Sequence, residues 1–273
     1  MRLYSGFMNW LVFFVEKKRD SMFIHPAEYK ILLCTLTFAV LFQSGSASDG
    51  MNESYEQWFK DGMQFYQEGR LDKAQDAYEH GLAFEPDNPS LLNNLGNVLS
   101  DKGDNIAALA RYEQALAISG DDSIILGNIG RTLFLLGEYE EAIKMCNNAI
   151  KLDPENSIAW YYAATAYYEL NRYDESIDYF HKALNINQSF ALAWNNLGNV
   201  HVLRGEYNKA FMLYNKALES DRNLTQAWYN VGSLFFALER YCESAKAFEE
   251  VVRIKSDDID ALARLNAALE LCA

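Results

Sequence analysis

From Tyr55 onward the chain repeats itself every 34 residues without a slip of register. Units begin at Tyr55, Pro89, Ser123, Ser157, Ala191 and Thr225, and a partial seventh begins at Ile259. No other feature constrains the fold as much. A unit this short cannot bury its own apolar face, so successive units must stack on one another. Position 8 of each unit is small (Gly62, Gly96, Gly130, Ala164, Gly198, Gly232) and position 20 is Ala or Ser throughout. Position 24 is large in five of six units, with Cys146 the exception.

The spacing carries a mechanical reading. Apolar positions 4, 7, 8 and 11 step by three and four and share one helical face, and positions 20, 24 and 27 do the same on a second helix. Small residues at 8 and 20 let the two backbones approach. Between the helices stand Gly69, Gly103, Gly137, Asn171 and Gly205, residue types that accept the left-handed backbone ending a helix. Glu239 holds that place in the sixth unit, at a cost of roughly 1 kcal/mol if the angle is kept. Pro86, Pro89 and Pro154 mark the breaks between units.

Trp194, Leu197, Gly198, Ala210 and Tyr214 resemble the tetratricopeptide repeat, whose pattern is a Trp, a Leu-Gly pair, a Tyr, then Ala, Phe and Pro at fixed offsets. His201 stands at the Tyr position, and Gly120, Gln188, Arg222 and Ser256 replace the usual Pro. The resemblance covers six units over 55–258 (55–88, 89–122, 123–156, 157–190, 191–224 and 225–258). It implies an all-α fold, a right-handed α-solenoid of stacked helix-turn-helix units. Residues 259–273 are expected to form a capping helix that covers the sixth unit with Leu262, Leu265 and Leu269.

Upstream, 1–47 contain two apolar runs, Phe7 to Val15 and Ile31 to Phe42, both shorter than the ~20 residues of a spanning helix. The second has the grammar of a secretory signal, with Lys30 before it and Gly45-Ser46-Ala47 as a small-x-small cleavage site. Met22 is the more natural start for such a signal. The chain is therefore expected to be exported, periplasmic or extracellular, through a signal ending near Ala47. The alternative is an uncleaved anchor, with membrane association through 1–42. Residues 48–54 read as a linker.

Charge narrows the partners. Net charge is −14, and −16 beyond residue 47, which argues against nucleic acid and anionic ligands. There is no phosphate loop, nucleophile elbow or zinc-protease pair, so no enzyme activity, cofactor or metal is expected. His201 takes a core position, and His80 and His181 lie three repeats apart. Asn52, Asn187 and Asn223 begin glycosylation triplets, which matter only in a eukaryotic secretory route. Cys242 and Cys272 fall at plausibly neighbouring ends, and two readings stand: a pair of free thiols, or a disulfide that pins the cap.

In tetratricopeptide arrays the first helices line the concave groove, with positions 2, 5, 6, 9, 12 and 13 facing a ligand or the next unit. Position 6 here gives Asn94, Asn128, Tyr162, Asn196 and Asn230, and position 9 gives Asn97, Arg131, Thr165, Asn199 and Ser233. Asparagine both donates and accepts, so a row of it can hold a peptide backbone without reading side chains. The row resembles the asparagine ladder in the repeat arm of the O-GlcNAc transferases. No glycosyltransferase domain follows, so that activity is not carried over. Tyr161, Tyr162 and Tyr229 add aromatic anchors. The expected function is a non-catalytic scaffold that binds an extended segment or loop of another protein. The alternatives are a membrane-tethered assembly factor for an envelope complex and a carbohydrate-binding groove.

Overall fold

The computed structural model describes residues 54–272, and the apolar runs, the signal and most of the linker lie outside them. Within that range the chain forms thirteen helices and no strand. Six pairs follow in order: α1 (Tyr55–Gln67) and α2 (Leu71–Phe84), α3 (Pro89–Asp101) and α4 (Asn105–Ser119), α5 (Ser123–Leu135) and α6 (Tyr139–Leu152). Then come α7 (Ser157–Glu169) and α8 (Tyr173–Ile186), α9 (Ala191–Leu203) and α10 (Tyr207–Ser220), α11 (Thr225–Ala237) and α12 (Tyr241–Ile254). A single helix, α13 (Ile259–Cys272), ends the series. Every first helix starts at the residue where its repeat unit starts in the sequence.

The small positions explain the pairing. A Cβ built on Gly96 would lie 2.5 Å from the Tyr112 ring, and one on Gly198 equally close to Tyr214, so only glycine lets these rings lie against the partner backbone. Ala74, Ala108, Ala142 and Ala210 at position 20 are wholly buried. Where position 20 is serine, its hydroxyl donates across the pair, Ser176 to the Ala164 carbonyl and Ser244 to that of Gly232, each at 2.8 Å. Helix starts are capped by Asn88, Asp104, Asp122 and Asn156, whose side chains accept from first-turn N–H groups. Trp160, Trp194 and Trp228 tie units together by donating their indole N–H to the carbonyl six residues back. Glu239 keeps the left-handed turn, with φ at 60°, beside Asn171 at 59°.

Consecutive first helices from α3 to α11 touch one another, whereas second helices pack only against first helices to a comparable degree. The first helices therefore crowd along the inner side of the stack, and α13 continues their row.

The cap departs from expectation. It packs through Ala261, Leu265 and Ala268, and Leu262 and Leu269 are exposed. Positions 3, 7 and 10 of a first helix face the preceding unit, as Ala227 and Leu234 do in α11. Positions 4 and 11 face the unit's own second helix, which α13 does not have among the described residues. The cysteine question is also answered: Cys242 and Cys272 are bonded, with Cα atoms 4.8 Å apart.

Candidate functional site

The inner row is built from one recurring contact. Position 5 of a unit lies beside position 6 of the next, 35 residues on. Asn128 donates its amide to Asn93 Oδ1 at 2.9 Å. Asn196 donates to the Tyr161 hydroxyl at 3.0 Å. Asn230 donates to Asn195 Oδ1 at 2.9 Å and to Asn199 Oδ1 at 3.0 Å, and Asn195 donates in turn to Asn196 Oδ1. Much of the asparagine row thus holds adjacent units in register, and each bond of this kind contributes about 1 kcal/mol net. Among the described residues, the Oδ1 atoms of Asn128 and Asn230 have no hydrogen-bond partner.

Position 9 is used within its own unit. Tyr112 donates its hydroxyl to Asn97 Oδ1 at 2.7 Å, and Tyr214 donates to Asn199 Oδ1 at 2.8 Å. Burial pushes the Tyr112 and Tyr214 phenols up, so both remain protonated donors. Where position 24 carries no hydroxyl, as at Cys146, Phe180 and Phe248, position 9 is Arg131, Thr165 and Ser233 instead of asparagine.

Two breaks interrupt the position 5 to position 6 contact, both in the N-terminal half. Beside half-buried Asn94 stands Phe59, which offers no acceptor, and the Asn94 amide has no side-chain partner among the described residues. Beside Tyr162 stands Gly127, which has no side chain, and the face opens there into a cleft of about 270 Å³ lined by Ile124, Gly127, Asn128, Asn156 and Ile158. Position 2 is a further column of the inner face. Ile124 is 65% exposed, Ile158 49% and Leu192 39%, one aliphatic residue on each of three consecutive inner helices. Glu56, Ser90 and Gln226 hold the same position in the outer units. Reading that column down the repeats would have found the patch.

The polar lining of the cleft also includes Asp153 and Glu155 from the turn before α7 and Ser157 at its start. Toward the other end of the inner helices lies a separate polar cluster. Arg131 donates to Asp101 at 2.8 Å, and Tyr66 donates its hydroxyl to the same carboxylate. Burial, then Asp101, pushes the Tyr66 phenol up to about 12. Tyr162 is half-buried beside Arg131 and tilts against Phe134.

Two expected contact residues are corrected. Tyr161 is buried against Phe180 and Phe190, with its hydroxyl used by Asn196. Thr165 is buried, its hydroxyl bonded to the Tyr161 carbonyl. Neither presents a surface to a partner. Tyr229 is committed to the cap: it donates to Asp260, and the Arg264 guanidinium lies 5.0 Å over its ring. Ser233 is half-buried, and its hydroxyl oxygen is buried without a partner. No group of three or more His, Cys, Asp or Glu among the described residues is arranged to hold a metal ion. No described helix is long and apolar enough to cross a membrane.

Models of the tetratricopeptide repeat match residues 87–155, 128–191, 191–224 and 225–258, and a TPR repeat model matches 62–103. No curated protein matches the chain. Among solved structures, a chain of the APC/C hetero-tetramer Cut9–Hcn1 is similar with a TM-score of 0.72 at 16% identity, over 79% of this chain and 43% of that one. The present chain thus spans less than half of that relative. Pseudomonas aeruginosa PilF gives 0.65 at 18% identity, covering 79% of this chain and 96% of its own. A thermophilic TPR protein of Thermus thermophilus gives 0.59 at 22%, covering 67% and 99%. At these identities the likeness is one of fold.

Proposed function

Because the chain belongs to the tetratricopeptide repeat family, whose repeats generally mediate protein–protein interactions, we propose that it is a non-catalytic scaffold binding an extended segment of another protein along the inner face of its third to fifth units. The observation that carries this reading is the exposed aliphatic row Ile124, Ile158 and Leu192 beside the Gly127 cleft. Isolated exposed aliphatics need no explanation, but these three recur at one repeat position on adjacent helices, and Ile124 and Ile158 line the same cleft. A segment laid across them would bury alternate apolar side chains, while its main chain meets the amide of Asn94 and the free Oδ1 of Asn128. Those two residues lie at the breaks, or next to them, where internal bonding leaves capacity. The strong negative charge favours a neutral or basic segment.

Export is part of the proposal. The signal-like stretch ending at Ala47 supports it, and so does the Cys242–Cys272 bond, since such bonds persist in oxidising compartments. Sequencing the N-terminus of the protein isolated from its own cells checks it, with a new terminus near Ser48 expected and retention of Met1 or Met22 against it.

The groove is tested by capturing partners on the wild-type chain and on Ile124→Asp with Ile158→Asp. Both side chains are exposed, so the melting temperature should hold while captured partners fall at least tenfold. Full retention of the same partners by a folded double variant would reject the aliphatic row as the contact surface.

A further inference from the structure

Like α1 at the other end of the array, which buries only Gly62, α13 is lightly held by packing. Only Ala261 and Ala268 are buried in it, against seven residues in α7. It has no second helix of its own among the described residues, and Leu262, Leu269 and Leu271 are exposed. What fastens its far end is the bond from Cys272 to Cys242.

The place of that bond follows a rule of the array. Cys242 is position 18 of the sixth unit, and Cys272 is position 14 of the seventh. The same two positions hold Asp72 and Lys102, 2.7 Å apart between the first and second units. They also hold Asp174 and Arg204, 2.7 Å apart between the fourth and fifth. All three pairs are 30 residues apart in sequence. The slot links the start of one unit's second helix to the end of the next first helix. Inside the array it carries an ion pair on helices already gripped from both sides. At the cap, which is gripped from one side, it carries a covalent bond.

We propose that Cys242–Cys272 is a redox-operated clasp on α13, opened by a dithiol reductant, and that opening it bares the apolar face of Trp228, Tyr229, Phe248 and Val251. Cys242 is exposed, so one thiolate of the dithiol can attack its Sγ. The S–S bond breaks, Cys272 leaves as a thiolate and takes a proton, and a mixed disulfide forms on Cys242. The second thiol of the reductant then displaces Cys242, which is protonated in turn. Two electrons pass to the protein, and the reductant ends as a disulfide. Cys146 takes no part, because it is wholly buried. Once free, α13 is held by two alanines, Leu265 and the surface contacts of Asp260 and Arg264 with Tyr229. Elements with so little buried contact open at low free energy.

Hydrogen exchange on the full chain, with and without dithiothreitol, tests this, with alkylation and mass mapping confirming that Cys242 and Cys272 have been freed. Reduction should speed exchange in α13 at least tenfold and raise the fluorescence of an apolar-surface dye, with α3 to α9 unchanged. Unchanged exchange in α13 after both thiols are labelled would overturn the proposal, as would equal acceleration through the whole array or failure of dithiothreitol to open the bond. A second variant, Cys242→Asp with Cys272→Lys, places in this slot the ion pair found between the earlier units. It should protect α13 to the same degree with and without reductant, and a wild-type-like response to dithiothreitol would also count against the clasp.

Discussion

Asn94 and Asn230 hold the same position in their repeats, and their surroundings differ. Asn230 reaches back to Asn195 and Asn199 and is spent on joining the fifth and sixth units. Asn94 reaches back to Phe59, and its amide has no side-chain partner among the described residues. The contrast extends to the two halves of the inner row. From the fourth unit on, every position 5 side chain engages the next position 6, through Tyr161–Asn196, Asn195–Asn230 and Tyr229–Arg264. Before it, Phe59 and Gly127 break the series, and the cleft and the most exposed aliphatic residue of the row lie at the second break. The same residue type thus joins two units through its amide at Asn230, and at Asn94 has no side-chain partner among the described residues. What decides is the residue 35 places earlier.

The largest expected effect comes from breaking the closed half. Asn195→Ala removes a buried amide that serves both Asn196 and Asn230, and should cost about 2 kcal/mol in denaturant unfolding. Asn93→Ala, at a half-buried site with one such bond, should cost about 1 kcal/mol. Equal losses would remove the distinction between the halves. Next is an attempt to close the open half. Gly127→Asn supplies an acceptor at position 5 and fills the cleft. Its Cβ would meet Asn156 Nδ2 at 3.3 Å, so the neighbour must shift slightly. Partner affinity should fall about tenfold, roughly 1.4 kcal/mol, and affinity unchanged in a folded variant would show that the cleft is not used.

The turns differ between the halves as well. The first three units use glycine, whereas the sixth holds Glu239 at positive φ. Glu239→Gly should stabilise by about 1 kcal/mol, measured as a raised unfolding midpoint, and a neutral result would mean the glutamate is not strained there. The smallest effect is one of pH and belongs to the closed half. Burial, then the Lys209 charge, holds the His201 imidazole below its usual range, against the pull of Glu206. The unfolded chain takes up this proton near pH 6.5, and the folded chain does so only at lower pH. Stability from this group is therefore full above that pH and declines as pH falls below it. His201→Phe, the residue type found at this position in Phe65 and Phe235, should flatten the fall in melting temperature below about pH 6.5 relative to wild type. An unaltered slope would contradict this.

Much of the fold was legible because its determinants repeat. The spacing of Gly96, Ala108 and Tyr112, recurring at Gly198, Ala210 and Tyr214, describes a helix pair and its close approach without any long-range knowledge. The site was less legible because its determinants join neighbouring units. Whether Asn94 is free depends on Phe59, and nothing local to Asn94 says so. Tyr161 and Thr165 looked like groove residues by position, but the ring of Phe190 and a bond to the backbone place them inside. In the cap, Leu262 and Leu269 invited assignment to the buried face because they are large. The face turned to the sixth unit is instead the one with Ala261 and Ala268, as the register of α11 dictates.

The most direct measurement sets Asn94→Ala beside Asn230→Ala in the same denaturant titration. If the position 5 partner decides the role of the row, Asn230→Ala loses about 1–2 kcal/mol and Asn94→Ala stays within about 0.5 kcal/mol of wild type. Equal destabilisation by the two, or a larger loss at Asn94, would contradict the division of the inner face into a closed half and an open one.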